Sequence, residues 1–393
     1  MKIINLFNLL ILTIILSSFS TYAVDTLEYE NKYLAMDNYF LGTDSNIYID
    51  YVWDHSISNN SLIGKSLSSI NVENLHQDSL LRLILLSSNN SSNVQKLKMK
   101  FLTRLVSTNR VSNRVTLLLL NYKDIFEKIF GESIISEILL RNRNIQNIYT
   151  ELGQRSNTPD NKEIKNIFTN SPELRNGGIK LFLFCRTNRK FPCRFLMKNS
   201  NNEVVLDSTG EIWSQKALAS SKHDYPFNVR NGNTPTGIFK INSVMPKANR
   251  KLVYGKFRRF ILEFIPKSKN EKIYKSYLPS SSLNKTWWKE NLIAREVGRN
   301  LFRIHGTGLR SKDVNATFYP FVRTSGCVAQ RENSYQNNKY IDQRHLLDTA
   351  MLSMGLDNIY QNETKIKGLL YIVNINNKEQ EVSLTELKNI IQP

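Results

Sequence analysis

A histidine and a cysteine, each beside a glycine, are the residues of this chain best suited to covalent chemistry. His305 lies in the stretch 304–307 (IHGT), and Cys327 follows in the stretch 323–328 (RTSGCV). A thiol attacks a carbonyl carbon as the thiolate, and a nearby imidazole can lower its pKa from about 8.5 to about 3.5–7.5. The pair predicts a cysteine acyltransferase. Spacing alone leaves an alternative, in which both are ordinary packed residues of a core.

The two glycines are predicted to shape this site. Gly306 and Gly326 carry no side chain, so a substrate backbone can come close to the reacting pair. The main-chain N–H groups of Gly326 and Cys327 are the natural donors to an oxyanion, because they need no side chain.

The cysteine count favours a chemical role for Cys327. The chain has three cysteines. Cys185 and Cys193 lie in a plausible hairpin, 180–186 against 194–198, and are predicted to pair as a disulfide. That leaves Cys327 over, and a free thiol in an oxidising compartment is a liability unless it takes part in chemistry.

The elements that must position the pair belong to a β-rich half that begins after Gly178. Short runs rich in β-branched and aromatic residues, broken by Gly, Pro, Asn and Ser, predict strands. The runs are 179–184, 195–197, 204–206, 238–241, 260–264, 301–304 and 369–375. We predict a mostly antiparallel domain over 179–375 with a few inserted helices. The clearest helix is 340–354, and its His345 is the alternative catalytic imidazole.

The first half of the chain is predicted to be helical. Apolar residues recur at helical spacing in 94–106 and 134–139, and a Ser/Asn cluster at 87–92 reads as a loop between helices. The predicted organisation is a helical domain over 24–170, a linker at 171–178, the β-rich domain, and a C-terminal tail at 376–393 with room for a short helix. The fold class is therefore α+β and multidomain.

The N-terminus predicts export. Lys2, an apolar run over 3–16 and small residues ending at Ala23 follow the order of a secretory signal, giving a signal peptide over 1–23. The protein is expected in the periplasm or cell wall, and at the membrane only if the signal stays uncleaved. The formal net charge of +19 suits polyanions. Export and the lack of a nucleic-acid motif favour wall polymers and peptide carboxylates over nucleic acid.

Three motifs together resemble the catalytic domain of the L,D-transpeptidase (YkuD) family. They are 233–239 (NTPTGIF), 304–307 (IHGT) and 324–328 (TSGCV), in the order that the family shows. The resemblance covers about 179–375. It implies a β-rich domain that acts on bacterial peptidoglycan, with Cys327 as nucleophile and His305 as base, and with neither cofactor nor metal.

The resemblance also implies roles for neighbouring residues. Thr324, Ser325, Gly326, Gly306 and Thr307 would shape the site. Arg303, Arg310, Arg323 and Arg331 cluster in sequence around the site and are candidates for binding carboxylates, and Trp288 is a candidate for lining a groove.

The chain departs from the family pattern at two positions. Ser325 stands where a basic residue or His is common, and Ala329 stands where Arg or Asn is usual. The second change removes a side chain that in the family helps to order the site or to bind the substrate carboxylate, so Arg331 or Arg323 would have to replace it.

The implied reaction joins stem peptides at diaminopimelate through a thioester, or attaches another amine there, including that of a wall-attached protein. Alternatives on the same fold are an L,D-carboxypeptidase, a cross-link hydrolase, or a catalytically impaired wall-binding protein. A sortase fits the 233–239 and 304–307 motifs poorly. Papain-like enzymes place the cysteine before the histidine, so chain order excludes them.

Overall fold

The computed structural model describes residues 45–55, 70, 72–87, 91–108, 110–154, 158–174, 177–265 and 271–392. The predicted signal segment 1–23 lies outside them. The chain divides into two compact units, Met1–Arg110 and Val111–Pro393. The boundary falls inside the range 24–170 that the sequence predicts as one helical domain. Among the described residues, no helix is both long and apolar enough to cross a bilayer.

The described part of the first unit is helical. It contains α1 (Ser45–His55), α2 (Gln77–Leu86) and α3 (Ser91–Thr108). The apolar face of α2, from Leu80 to Ile84, is buried. Arg82 ties α2 to α1, because its guanidinium donates to Asp50 Oδ1 at 2.6 Å.

The second unit combines helices with two sheets. Its helices are α4 (Asn113–Asn121), α5 (Lys123–Phe130), α6 (Glu132–Leu140), α7 (Arg143–Gln154), α8 (Asn161–Thr169), α9 (Lys251–Tyr254), α10 (Glu271–Lys275), α11 (Lys289–Glu296), α12 (Asp342–Leu352) and α13 (Leu384–Ile391). Its strands are β1 (Ile179–Arg186), β2 (Cys193–Lys198), β3 (Ser214–Ala217), β4 (Gly237–Val244), β5 (Phe260–Phe264), β6 (Arg303–His305), β7 (Val328–Ala329), β8 (Glu332–Tyr335), β9 (Asn338–Ile341) and β10 (Lys367–Asn376). The protein is thus mixed α+β, which confirms the coarse prediction.

The main sheet has eight strands in the order β3-β2-β1-β10-β4-β5-β6-β7. The pairs β1–β10 and β6–β7 are parallel, and the other neighbours are antiparallel. Its two ends approach each other where Leu218, just after β3, exchanges two main-chain hydrogen bonds with Ala329 on β7, at 3.0 and 2.8 Å. β8 and β9 form a separate antiparallel pair.

Alternation along the strands gives the sheet two differently packed faces. One face carries Phe260, Leu262, Ile304 and Val328, which share an apolar core with helix α12. Helices α8 and α13 and the buried tryptophans pack on the opposite face of the central strands. Strands β1 and β10 are covered on both faces, so they read as nearly unbroken apolar runs.

Cys185 and Cys193 form a disulfide that joins β1 to β2. It leaves Cys327 as the free cysteine of the chain.

Candidate active site

The register of three neighbouring strands puts the reacting pair on one face of the sheet. Ile304 on β6 is opposite Val328 on β7, and both belong to the inner core. Because side chains alternate across a strand, Arg303 and His305 on β6 and Cys327 next to β7 all point to the other face. The structure therefore places His305 on β6 and Cys327 immediately before β7 on one face of the sheet, with His305 in register with Ala329.

The thiol of Cys327 is half-buried and stands among cations. Its Sγ lies 4.0 Å from the carbonyl oxygen of Leu301. Burial raises the pKa of the Cys327 thiol, while the main-chain N–H of Arg303 and the charges of Arg303, Arg299 and Arg259 favour the thiolate. Burial prevails, so the direction is opposite to the lowered pKa expected from the sequence. The resting group is a thiol, and it needs a base.

His305 is placed to serve as that base. Its side chain is buried, and its Nδ1 bonds the carbonyl oxygen of Gly306, which leaves Nε2 without the proton. The Tyr254 ring meets the imidazole edge-on, with centroids 5.1 Å apart. Burial lowers the pKa of His305 to about 4, helped by the charges of Arg259 and Arg303 and opposed by the Gly306 bond. The imidazole is therefore neutral at neutral pH.

The pair is not joined directly at rest. Within the described chain, the His305 ring bonds Gly306, and Sγ of Cys327 bonds the main chain of Leu301 and Arg303, so no hydrogen bond links the ring to the sulfur. At rest the neutral ring on β6 and the un-ionised thiol before β7 therefore have no hydrogen bond to each other.

Two threonines hold the turn that carries Cys327. Thr324 Oγ1 donates to the carbonyl oxygen of Cys327 at 2.6 Å. Thr234, from the 233–239 motif, donates to the carbonyl oxygen of Gly326 at 3.0 Å. Neither Gly326 nor Cys327 donates its main-chain N–H to an acceptor among the described residues. Both N–H groups are available to an oxyanion.

Gly326 is required by its own surroundings. Its φ is +103°, in the region that favours glycine, and an added Cβ would overlap the Arg299 guanidinium. The absent side chain thus makes room for Arg299.

Gly306 makes room for a buried carboxylate. Glu332 is 3% exposed, and an added Cβ at position 306 would overlap its Oε2. The other oxygen, Oε1, accepts from the Lys256 N–H at 2.7 Å, which fixes the carboxylate. Glu332 therefore packs against the residue whose carbonyl orients His305, and nothing in the sequence pattern indicated this.

Gly306→Ala is expected to destabilise the fold by about 1–3 kcal/mol, because the new methyl group meets a carboxylate that cannot move without losing its bond to Lys256. Urea denaturation measures the change. The matched control is the double variant Gly306→Ala/Glu332→Ala, in which the clash is absent. Its loss of unfolding free energy should be smaller than the sum of the losses in the two single variants. Strictly additive effects would contradict the packing described.

Three arginines lie near the thiol, and only Arg303 was among those that the sequence placed around the site. Arg303 precedes His305 by two positions on the same face, and its partner on β5 is Ile261. Arg259 lies two positions before Ile261 and acts electrostatically on His305. Arg299 donates to the carbonyl oxygens of Gly232, at 2.7 Å, and Asn233, at 2.8 Å. Arg303 is on β6, and Arg259 and Arg299 precede β5 and β6, so the pairing of these two strands helps to bring the three arginines near the thiol.

The substrate-binding candidates from the sequence lie elsewhere or are engaged. Arg323 is paired with Asp224 at 2.6 Å, and Arg331 with Asp342 at 2.7 Å. Arg310 is exposed. Trp288 has no exposed surface and donates its Nε1–H to the Ser282 carbonyl, so it belongs to the core and does not line a groove.

The remaining candidates have plain positions. Thr307 is buried and donates to the Leu252 carbonyl at 3.2 Å, which anchors the loop after β6. Ser325 is exposed at the tip of the cysteine turn. His345 is exposed on α12 and lines a surface cavity with Arg331 and Asp342, whose lining does not include Cys327 or His305.

The pKa of His305 predicts a pH effect on stability. In the folded protein the pKa of His305 is about 4, below the ordinary 6.5. As pH falls, the unfolded chain therefore binds a proton at His305 before the folded chain does. The contribution of His305 to the free energy of unfolding is full above about pH 6.5 and is lost as pH falls towards 4. The size is about 3 kcal/mol. Burial raises the pKa values of Glu332 and Asp342, which act in the opposite sense. The measurement is therefore the difference between wild type and His305→Gln in urea unfolding at pH 7 and pH 4.5. A pH-independent difference would contradict it.

Comparison of the chain with protein-family models, with curated proteins and with solved structures gives no match. The site is therefore interpreted from its own geometry: a cysteine and a histidine on adjacent strands, beside two unused main-chain donors.

Proposed function

We propose that this chain is a cysteine acyltransferase of the L,D-transpeptidase kind, exported to the periplasm or cell wall, that acts on peptidoglycan stem peptides. One observation carries the proposal: Cys327 and His305 share a face of adjacent strands, next to two N–H groups that have no acceptor within the described residues. A thiol, a neutral imidazole and main-chain N–H donors are the groups that acyl transfer through a thioester uses, which supports the proposal.

In the first step, Nε2 of His305 takes the thiol proton and Sγ of Cys327 attacks the carbonyl carbon of the donor residue. The N–H groups of Gly326 and Cys327 stabilise the resulting oxyanion, at about 3–4 kcal/mol for one donor. The tetrahedral species collapses to a thioester as the C–N bond breaks. The imidazolium returns its proton to the leaving amine, which for a tetrapeptide stem is D-alanine.

In the second step, an amine of another stem or of a wall-attached protein attacks the thioester, and the thiol is restored. Water in the place of that amine would give hydrolysis, so exclusion of water selects the transferase outcome. Leu218, Phe321 and Ala329, with Phe318 packed against them, form an apolar cluster beside the site. This wall supports transfer over hydrolysis.

A link between two of the resembling motifs adds support. The hydroxyl of Thr234, in the 233–239 motif, holds the carbonyl of Gly326 in the cysteine turn. Thr236 in the same motif bonds the carbonyl oxygen of Trp287. The Thr-Pro-Thr-Gly turn therefore fixes the loop that presents the nucleophile.

A second candidate function is a wall-binding protein with impaired catalysis. It is favoured by the lack of a hydrogen bond between the His305 ring and Cys327 in the described chain, and by Ala329, which brings no polar side chain next to His305.

Mass spectrometry of muropeptides distinguishes these functions. Purified protein incubated with disaccharide-tetrapeptides should yield dimers linked between diaminopimelate residues, together with free D-alanine. Tripeptides without dimers would indicate a carboxypeptidase, and loss of added dimers a cross-link hydrolase. Binding to sacculi with unchanged muropeptides would favour the impaired binder and defeat the proposal.

A further inference from the structure

Strand register places Arg303 next to Cys327. On β5 and β6, Ile261 is opposite Arg303, and the next position on the same face of β6 is His305. Across β7, His305 is opposite Ala329, so Arg303 stands beside Cys327. On this face, Arg303 places a cation next to the thiol of Cys327, whereas Ala329 places only a methyl group next to His305.

The positive charge near the thiol has little compensation. Among the described residues, no carboxylate forms an ion pair with Arg259, Arg299 or Arg303. Glu263 is the acid whose charge reaches Arg303, and it is already bonded to Asn242 at 2.8 Å. Three guanidinium groups with so few anionic partners attract an anion.

Arg303 is the member of this trio with donors to spare. Arg299 is occupied by three main-chain carbonyls, those of Phe227, Gly232 and Asn233. Arg259 is occupied by the main-chain and side-chain oxygens of Asn249. Arg303 donates only Nη1, to Phe302 O at 2.6 Å, within the described chain. Its side chain is half-buried, so Nε and Nη2 remain available for a ligand.

We propose that Arg303, supported by the charges of Arg259 and Arg299, binds a carboxylate of the acyl donor next to the carbon that Cys327 attacks. The proposal rests on the proposed function and deepens it. Arg303 becomes the residue that determines specificity, in the place of the side chain that Ala329 lacks.

Two alkylating reagents test this without peptidoglycan. Iodoacetate and iodoacetamide react identically: Sγ forms a C–S bond as the C–I bond breaks, iodide leaves and the thiol proton goes to base. They differ in one carboxylate. Their rate ratio therefore cancels any change in thiolate fraction and reports the effect of the surroundings of Cys327 on the added carboxylate, and the Lys240→Gln control measures the part due to general positive charge. The reference is N-acetylcysteine amide, and Cys327 is the free thiol of the chain.

We expect the iodoacetate/iodoacetamide ratio at Cys327 to exceed that of the reference thiol by about ten-fold, the size of one hydrogen-bonded charge pair. Arg303→Gln should return the ratio to the reference value, and Arg303→Lys should restore part of it. Lys240→Gln is the matched control: Lys240 is exposed on β4 and pairs in register with Glu263. It should leave the ratio unchanged.

A wild-type ratio equal to the reference, or a raised ratio that persists in Arg303→Gln, would overturn the proposal. The wild-type ratio decides the matter even if Arg303→Gln fails to fold. The readout also separates the two proposals, because a raised ratio on a protein that processes no stem peptide would defeat only the proposed function.

The source of the carboxylate is identified with two tetrapeptide donors, one amidated at the diaminopimelate side-chain carboxyl and one at the C-terminus. The donor that loses the bound carboxylate should show a fall in kcat/KM of about ten-fold in wild type and none in Arg303→Gln. Equal rates for both amidated donors and the free acid would contradict a carboxylate site.

Discussion

Replacing Cys327 by serine is expected to abolish turnover of stem peptides, by on the order of 10⁴-fold or more. A serine hydroxyl next to a neutral imidazole is far less ionised than a thiol and lacks the sulfur nucleophile. Residual dimer formation from disaccharide-tetrapeptides, measured by mass spectrometry of the digests, gives the size of the loss.

The control for this substitution is the stability of the variant, measured by urea unfolding. Cys327 is half-buried, and its Sγ makes only long or main-chain hydrogen bonds among the described residues, to Leu301 and Arg303, which a serine hydroxyl can also form, so Cys327→Ser should unfold at nearly the same urea concentration as wild type. Ser325→Ala, which changes an exposed residue in the same turn, should retain activity. Activity that survives in Cys327→Ser would refute the nucleophile.

Replacing His305 by alanine is expected to lower turnover by about 10²- to 10⁴-fold, the usual contribution of a general base. Because the His305 pKa is about 4, the wild-type imidazole is neutral, and no imidazolium stabilises a thiolate. Alkylation of Cys327 in wild type should therefore rise with pH without a plateau near pH 6. In His305→Ala, the loss of turnover should far exceed any change in alkylation rate.

His345→Ala is the matched control. This residue is exposed on α12 and lines a cavity apart from Cys327, so its loss should leave turnover intact. A normal rate in His305→Ala with a depressed rate in His345→Ala would reverse the assignment. An alkylation plateau near pH 6 in wild type would show that the thiol is ionised at rest.

Local patterns predicted several of the long elements of the β-rich half. The run predicted at 260–264 is β5 (Phe260–Phe264), and those at 179–184 and 369–375 lie within β1 and β10. Helix 340–354 is α12 (Asp342–Leu352). These segments are continuous and apolar, so their residues decide their own conformation.

The parallel pairs were not predicted. β1 pairs with β10 and β6 with β7, which makes the sheet mixed. Strand β7 has only two residues, Val328 and Ala329, too short for any period to be visible. The position of Cys327 next to Arg303 depends on this pairing, so the contact could not be read from sequence.

The role of the arginines shows the same limit. Arg323 and Arg331 are neighbours of Cys327 in sequence, yet acidic residues neutralise both. Arg259 is far away in sequence but two positions before the strand partner of Arg303. Sequence proximity was a poor guide to spatial proximity, because strand register decides which side chains share a face.

At Gly306 and Trp288 the structure gives the residue a different role from the one that the sequence predicted. Gly306 was expected to admit substrate, and it admits the Glu332 carboxylate. Trp288 was expected in a groove, and it stacks on Tyr274 in the core, with ring centroids 5.0 Å apart. A sequence shows that a small or an aromatic residue is needed, but not which neighbour needs it.

Acylation of Cys327 by a carbapenem tests the central claim most directly. The thiol opens the β-lactam ring without a leaving group, so the intact mass of the protein should rise by the full mass of the reagent. The adduct should map to Cys327, be absent from Cys327→Ala and form slowly in His305→Ala. A folded wild-type protein that gains no mass, or an adduct that persists in Cys327→Ala, would contradict an acyl-transfer site at this residue.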